Sequence, residues 1–163
     1  MIYRWLVLLH VLGVFGFLMA HGISVGVAFS LRRERDLGRI QALLNLSSST
    51  PGVLHGSIAI LFLTGIITGF IGHWWSRGWI WLSLSLLIAI YIYMGIAASG
   101  YYGQVRKAVG LAYMQGFKPH PAGEPASPEE INALLSHSRP VWLALVGFGS
   151  LAMIAWLMMF KPF

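Results

Sequence analysis

The longest apolar stretch of the chain, from Tyr3 to about Leu31, constrains the fold more than any other feature. After Arg4 it is almost unbroken apolar sequence, interrupted by two histidines, His10 and His21. About 20 apolar residues are enough to cross the hydrocarbon core of a bilayer. Histidine is costly in that environment, so two histidines in one span require an explanation. The stretch therefore predicts a transmembrane helix and makes its histidines the first candidates for function.

Three more apolar stretches follow, and together they predict one transmembrane domain over residues 1–163. The predicted fold class is all-α, an integral membrane four-helix bundle with helices at about 3–31, 51–72, 79–102 and 140–160. Hydrophobic residues make up 57% of the chain and charged residues 10%, whereas soluble domains have about 45–50% and about 25%. We expect the first helix to be retained, because the apolar region of a signal peptide is shorter and follows its positive charge.

The connecting segments contain several recognisable turn and cap signals. We expect the first helix to continue as an amphipathic extension to Leu44 and residues 45–50 to form a turn. Thr50 before Pro51 is typical of a helix N-cap followed by the first helical residue. The polar tail of the third helix is expected to stay helical to Gly116.

The segment before the last span is rich in proline and is predicted to be an irregular loop over residues 117–127. The sequence Ser-Pro-Glu-Glu at 127–130 matches a capping box. It predicts a short helix at 128–138, which Pro140 joins by a kink to the last span.

The distribution of positive charge predicts the orientation of the spans. Eight arginines and lysines lie in the first and third loops, and three lie at the other end; in chain order, the eight are Arg32, Arg33, Arg35, Arg39, Arg106, Lys107, Lys118 and Arg139. The positive-inside rule then makes loops 32–50 and 103–139 cytoplasmic and both termini non-cytoplasmic, in a bacterial-type inner membrane. This topology explains the basic composition without a nucleic-acid partner.

Glycines recur at spacings that let helix backbones approach closely. Gly22 and Gly26 lie four residues apart in the first helix, and the same spacing relates two pairs in the second, Gly52 with Gly56 and Gly65 with Gly69. Tight packing within one bundle is one interpretation. The other is a docking seam, through Gly22, Gly26, Gly65 and Gly69, for another membrane subunit or a second copy of the chain.

Histidines are the candidate ligands, since the chain has no cysteine. His10 and His21 are eleven residues apart, so they share one helix face and lie about 16 Å apart along the axis. His55 and His73, on the second helix, lie about 27 Å apart. Because these separations differ, two haems held by two level histidine pairs are disfavoured. One haem b between two helices remains open, with His10, His21 and His55 as the cofactor-binding candidates.

Other interpretations of the histidines also remain open. His21, His55 and His137 can converge at the cytoplasmic side if the helices are suitably arranged, and the nature of any metal is undetermined. A purely structural histidine would find neutral hydrogen-bond partners in the hydroxyl groups of the first two helices, at Ser24, Ser57, Thr64 and Thr68.

The segment Leu-His-Val-Leu-Gly at residues 9–13 resembles the start of the first helix in many small bacterial membrane proteins. The chain is most similar to a family of uncharacterised predicted integral membrane proteins with four helices and an arginine-rich first loop. More distantly it resembles the copper-resistance D permeases and the HemJ-type membrane haem proteins. The HemJ resemblance implies that His10 binds haem. The chain departs from that pattern around residues 15–22 and has no lysine or arginine within a span.

These observations favour a non-catalytic role. The leading hypothesis is an accessory or haem b-binding subunit associated with membrane electron transfer. The first alternative is a small membrane transporter or metal-export component, although no charged residue lies in the middle of a span to line its path. The second alternative is a purely structural subunit of a larger membrane complex, which accords with the glycine spacings.

Overall fold

The chain folds into long helices that lie side by side, with a small hairpin and two short helices at one end. The structure, a computed structural model, describes residues 1–116 and 118–163. The helices are α1 (Ile2–Leu31), α2 (Leu37–Ser47), α3 (Thr50–Ile71), α4 (Gly78–Ala108), α5 (Pro128–Leu135) and α6 (Arg139–Phe160), with one 3-10 turn at Trp74–Ser76. Among these residues, four helical stretches are long and apolar enough to cross a membrane. The fold is therefore mostly helical, built on four apolar stretches.

The first connection differs from the predicted continuation of α1 to Leu44. The helix ends at Leu31, and α2 begins after Asp36, whose carboxylate accepts a hydrogen bond of 2.8 Å from the amide of Arg39. An N-cap of this kind starts a new helix, so the amphipathic segment is a separate element. Beside it, hydrogen bonds from the amides of Asp36 and Arg35 lower the pKa of the Glu34 carboxyl.

The predicted turn at 45–50 is shorter in the structure, because α2 extends to Ser47 and α3 begins at Thr50. The hydroxyl of Thr50 donates a hydrogen bond of 2.8 Å to the carbonyl of Ser47 and does not act as the predicted N-cap acceptor. Ser48 and Ser49 donate in the same way to the carbonyls of residues 45 and 46. These hydroxyls satisfy carbonyl groups at the end of α2, which explains the compact turn.

A further departure from the predicted fold is a β-hairpin after α4. The helix runs to Ala108, beyond its predicted end near residue 102, and the chain then pairs strand β1 (Tyr113–Gln115) with strand β2 (Lys118–His120). The predicted helical tail is therefore right as far as Ala108 and wrong from there to Gly116, and the predicted irregular loop over 117–127 is wrong at β2 and right over 121–127. Tyr113 faces His120 across the hairpin, with the ring centroids 4.9 Å apart and nearly parallel. Phe117, also in the predicted loop, lies outside the described residues.

The short helix α5 begins as the capping signal predicts. The Ser127 side chain accepts a hydrogen bond of 3.3 Å from the amide of Glu130. The helix ends at Leu135, earlier than the predicted residue 138, and Pro140 lies in the first turn of α6. Two helices thus replace the single kinked helix that the sequence suggested.

The most deeply buried apolar cluster lies at the end of the molecule where α2 and α5 pack. It also includes residues from the C-terminal ends of α1 and α4. Its members are Val27, Leu31, Ile40, Leu44, Tyr101, Val105, Val109, Ile131 and Leu135. A smaller cluster of Phe17, Ile58 and Leu61 joins α1 to α3 in the middle of the molecule. The loops on one side therefore form a packed cap over the helix ends.

Close contact between α1 and α3 uses Gly13 and Gly16 of α1, which the four-residue spacing did not single out, and Gly65 of the predicted pairs, which lies against His10. A methyl group built on Gly13 would lie 3.1 Å from the side chain of Leu61, and one built on Gly16 would collide with the hydroxyl of Ser57. The pairs Gly22 with Gly26 and Gly52 with Gly56 have no such neighbour within 4 Å in the described part of the chain. The α1–α3 seam is thus at Gly13 and Gly16, and the predicted seam of α1 is open.

Candidate functional site

His10 lies between α1 and α3, with its ring against the backbone of Gly65. Its Nδ1 is 3.0 Å from Oγ1 of Thr64, and that hydroxyl donates its own proton to the carbonyl of Ile60 at 2.6 Å. With that hydroxyl proton directed to Ile60, the Thr64 oxygen accepts from His10, an arrangement that favours a proton on Nδ1. The Nε2 atom keeps its lone pair. This is the tautomer that a metal-binding histidine needs, with the ring orientation fixed by a second residue.

His55 has the same tautomer for a different reason. Its Nδ1 is 2.6 Å from the carbonyl oxygen of Pro51, which can only accept, so Nδ1 donates the hydrogen bond. The side chain is exposed on α3, and the edge of its ring meets the ring of Tyr91 from α4, with centroids 6.0 Å apart. Its Nε2 also keeps a lone pair, on the outside of the bundle.

His21 is the most enclosed of the three candidates, with 7% of its surface exposed. Its ring fits against Gly147 of α6, where an added methyl group would lie 2.6 Å from Cε1 and collide with Nε2. Phe148 covers it edge-on, with ring centroids 4.8 Å apart, and Phe17 lies on another side. The Nε2 atom is buried and has no hydrogen-bond partner within residues 1–116 and 118–163.

A small pocket adjoins His21 between α1, α4 and α6. Its volume is about 30 Å³, and its polar groups come from His21, Ser24 and Tyr102, while apolar residues form the remaining walls. The Tyr102 hydroxyl donates to the backbone carbonyl of Ser24 at 2.6 Å. Pockets for organic ligands measure about 300–1,000 Å³, so this one has no room for a porphyrin.

The structure does not bring the three candidates to one place. His10 faces α3, and His21 faces α6. Thr64 is nine residues from His55, which places the two on opposite faces of α3, about 180° apart. His137 does not join them, because it is exposed and its Nδ1 accepts from the amide of Arg139. In the described residues no three histidine, aspartate or glutamate side chains form a group that could hold a metal ion.

The three candidate histidines therefore differ in how well their surroundings fit a haem. His21 is enclosed with too little space, whereas Nε2 of His10 and Nε2 of His55 are not among the fully buried unpartnered atoms that the structure describes. Either can act as one axial ligand to a haem at the bundle surface, with the second ligand supplied from elsewhere. The chemistry of these two nitrogens fits the group, but the chain alone does not enclose it.

The sequence alone did not identify the two glycines that lie beside the rings of the candidate histidines. Gly147 leaves room for the ring of His21, with which an added methyl group would collide, and Gly65 lies beside the ring of His10 at an ordinary contact distance. Thr64, by contrast, belongs to the hydroxyl groups that the sequence offered as histidine partners, and it bonds to His10. A glycine within a helix lowers stability relative to alanine, so Gly147 in α6 indicated that another group packs closely against it. The sequence did not indicate that this group is a histidine ring.

Comparison with protein-family models, with curated proteins and with solved structures finds no match to this chain. The resemblance at residues 9–13 therefore stays a prediction, and the case for function rests on the histidine geometry.

Proposed function

We propose that the chain is a multi-pass integral membrane protein with four transmembrane spans. The apolar windows of its long helices are only 22%, 33%, 17% and 22% buried within the molecule. Their outward surface carries large apolar side chains along nearly the full length, such as Phe15, Leu63, Ile96 and Leu145. Monomeric soluble proteins rarely expose contiguous apolar patches beyond a few hundred Å², whereas lipid covers such a surface without cost.

The proposed orientation places the cap of α2, α5 and the hairpin in the cytoplasm of a bacterial-type cell. This end carries most of the arginines and lysines of the loops. The opposite end carries Trp74 and Trp79, and the ammonium group of Lys161 lies 4.5 Å and 5.6 Å from their ring centroids. Tryptophan and a lysine side chain at one level are typical of a membrane–water interface.

Single cysteines test this orientation, because the natural chain has none. In intact cells a membrane-impermeant maleimide should label Ser76→Cys, in the exposed turn before α4, and should leave Glu124→Cys unlabelled. Permeabilised cells should give labelling of both. The reverse pattern in intact cells would show that the loops are assigned to the wrong sides, and labelling of both would exclude an intact four-span topology.

Within the membrane, the function that the geometry supports best is that of an accessory subunit in electron transfer, with His10 as one axial ligand to a haem b. The supporting observation is the chain of hydrogen bonds from His10 to Thr64 and on to Ile60, which orients the ring and favours a proton on Nδ1, so that Nε2 keeps a lone pair. When bound, the haem would supply a one-electron redox centre. The chain itself positions the imidazole and surrounds it with apolar groups.

An accessory role accords with a site that this chain leaves incomplete. The haem would lie at the bundle surface, so a neighbouring subunit or a second copy would cover it and provide the other ligand. Open glycines along α1, at Gly22 and Gly26, give such a neighbour a surface for close helix packing. Those same glycines support the second candidate, a purely structural subunit. A transporter is less well supported, because the spans carry no charged residue at mid-depth.

The haem proposal predicts a Soret band in protein purified in mild detergent from haem-supplied cells. His10→Ala should remove most of that absorbance, because it deletes the ligand nitrogen. Thr64→Val should weaken retention roughly 10-fold or more, since the loss of a partner that orients a metal ligand typically costs about 10–100-fold in affinity. The matched control is His137→Ala, which changes an exposed histidine outside the spans and should leave the spectrum unchanged.

Protein without a Soret band, even after titration with haem, would exclude haem binding by the isolated chain. The same spectrum in His10→Ala as in the natural protein would move the ligand elsewhere, and His55→Ala would then be the next variant to measure. Loss of the band in the His137→Ala control would show that the variants report on folding and not on ligation.

A further inference from the structure

The basic residues at the end of the molecule that carries α2 and α5 fall into two groups. Three arginines are held by other groups of the fold. Arg106 donates to the backbone carbonyls of residues 44 and 112, Arg35 donates to those of residues 32 and 34, and Arg39 pairs with the Glu34 carboxylate at 3.9 Å. The remaining five have no carboxylate partner within residues 1–116 and 118–163; they are Arg32, Arg33, Lys107, Lys118 and Arg139.

Two of these five, Arg32 and Arg139, lie at the same end of α4. Arg32 is half-buried at the end of α1, where its guanidinium group is within electrostatic reach of the Tyr101 hydroxyl. Arg139, exposed at the start of α6, donates a hydrogen bond of 3.3 Å to the side-chain oxygen of Gln104. Tyr101 and Gln104 are three residues apart on α4, so they are neighbours on its surface. Side chains from α1 and α6 therefore bring two positive charges to one place.

The small pocket between α1, α4 and α6 supports the same placement. Ala28 of α1 and Pro140 of α6 both line it. Arg32 follows Ala28 by four residues, which is about one helical turn, and Arg139 directly precedes Pro140. Both arginines thus lie at one end of the crevice between these helices. Trp142, three residues after Arg139, is 63% exposed, and tryptophan at such a position is typical of the headgroup level of a membrane.

We propose that Arg32 and Arg139 form a binding site for the headgroup phosphate of an anionic phospholipid. Guanidinium groups bind phosphate through charge-assisted, paired hydrogen bonds, and basic pockets between transmembrane helices bind acidic headgroups. The acyl chains lie against exposed apolar side chains of the same two helices, such as Phe29 and Leu145. A zwitterionic lipid fits less well, because its own ammonium group offsets the charge of its phosphate. The site rests on the proposed membrane insertion, but on neither the haem nor the orientation.

A headgroup held by both arginines would connect α1 to α6 at the end of the crevice. The same helices also meet deeper in the bundle, where the ring of His21 lies against Gly147. The lipid would therefore add a second link between two helices that the chain itself joins through that contact. It would also give the protein a preference for membranes that contain acidic lipid.

Native mass spectrometry of the full chain in mild detergent tests the site, with phosphatidylglycerol and phosphatidylcholine of identical acyl chains added in equal amounts. We expect one phosphatidylglycerol to bind roughly 25-fold more tightly than phosphatidylcholine, since each arginine near an acidic headgroup contributes about fivefold. Arg32→Gln and Arg139→Gln should each lower this preference about fivefold, and the double variant should remove it.

The matched control is Lys118→Gln. It also removes one positive charge from this end of the molecule, but from an exposed position on the hairpin, so the lipid preference should stay nearly unchanged. A fall as large as that in Arg139→Gln would show diffuse attraction to the whole basic end and would contradict a site at the two arginines.

Equal binding of the two lipids to the natural protein would overturn the proposal, and so would a preference that survives in the double variant. Inorganic phosphate in excess should not displace the bound lipid; displacement would mean that the site takes free phosphate instead. If Arg32→Gln fails to fold, Arg139→Gln decides the question, because Arg139 is exposed. Since the measurement needs neither haem nor oriented membranes, its failure is distinct from a missing Soret band or a reversed labelling pattern.

Discussion

Gly16→Leu is expected to lower the free energy of unfolding by about 3 kcal/mol or more, which makes it one of the most disruptive single changes in the chain. Even one methyl group at Gly16 would collide with the hydroxyl of Ser57, and a leucine adds three more carbons at the same place. Overpacking of a tight interface typically costs about 1–3 kcal/mol and occasionally more. The α1–α3 contact holds the Thr64 partner of His10, so the loss extends to the candidate ligand.

The measurement is reversible unfolding in mixed detergent micelles, followed by circular dichroism. Gly26→Leu is the matched control: it lies on the same helix, is exposed and has open space around it, so its effect should stay within about 0.5 kcal/mol. If a partner does pack at the open glycines, Gly26→Leu should weaken assembly and leave unfolding unchanged. Equal destabilisation by the two variants would contradict the seam at Gly16.

The smaller substitution Gly16→Ala shows which group on α3 causes the destabilisation. Gly16→Ala should destabilise the bundle through the Ser57 hydroxyl alone, because Cβ of Ser57 would be 3.5 Å from the new methyl group, an ordinary contact. Ser57→Ala in the same chain should therefore restore most of the stability. A double variant as unstable as Gly16→Ala would show that the backbones, not the hydroxyl, set the limit.

Hydropathy and capping patterns were enough to predict the helical elements that depend on local sequence. The four apolar stretches and the Ser127 cap of α5 belong to this class, because each depends on residues within one segment. The hairpin does not, since it depends on the pairing of Tyr113 with His120 across a turn. The start of a separate helix after Asp36 was also not predicted, because the apolar periodicity of α2 looked like a continuation of α1.

The candidate site shows a second limit of sequence reasoning. Helical periodicity correctly indicates which residues share a face, as with His10 and His21 on α1, but it does not say which helix covers that face. In the structure α3 covers the first histidine and α6 the second, so one stripe of α1 contributes to two unrelated environments. The same limit applies to His55. The sequence analysis grouped it with His10 and His21, but in the structure it lies on the opposite face of α3 from Thr64.

Gly147→Ala should have the second large effect, because it acts on the ring of His21. The added methyl group would collide with Nε2 and lie 2.6 Å from Cε1, and the ring has little room to move between Phe17 and Phe148. We expect a loss of about 2 kcal/mol in the free energy of unfolding, within the usual range for overpacking. The gain of up to about 1 kcal/mol from replacing a helical glycine with alanine is included in that balance.

Gly149→Ala provides the control two residues away, where the structure describes no atom within 4 Å of the added methyl group. It should be neutral or stabilising by up to about 1 kcal/mol, measured by the same unfolding titration. In a chain that already carries His21→Ala, the Gly147→Ala change should lose most of its cost, because the ring it displaces is gone. An undiminished cost in that background would mean that Gly147 is required by α6 itself and not by the histidine it faces.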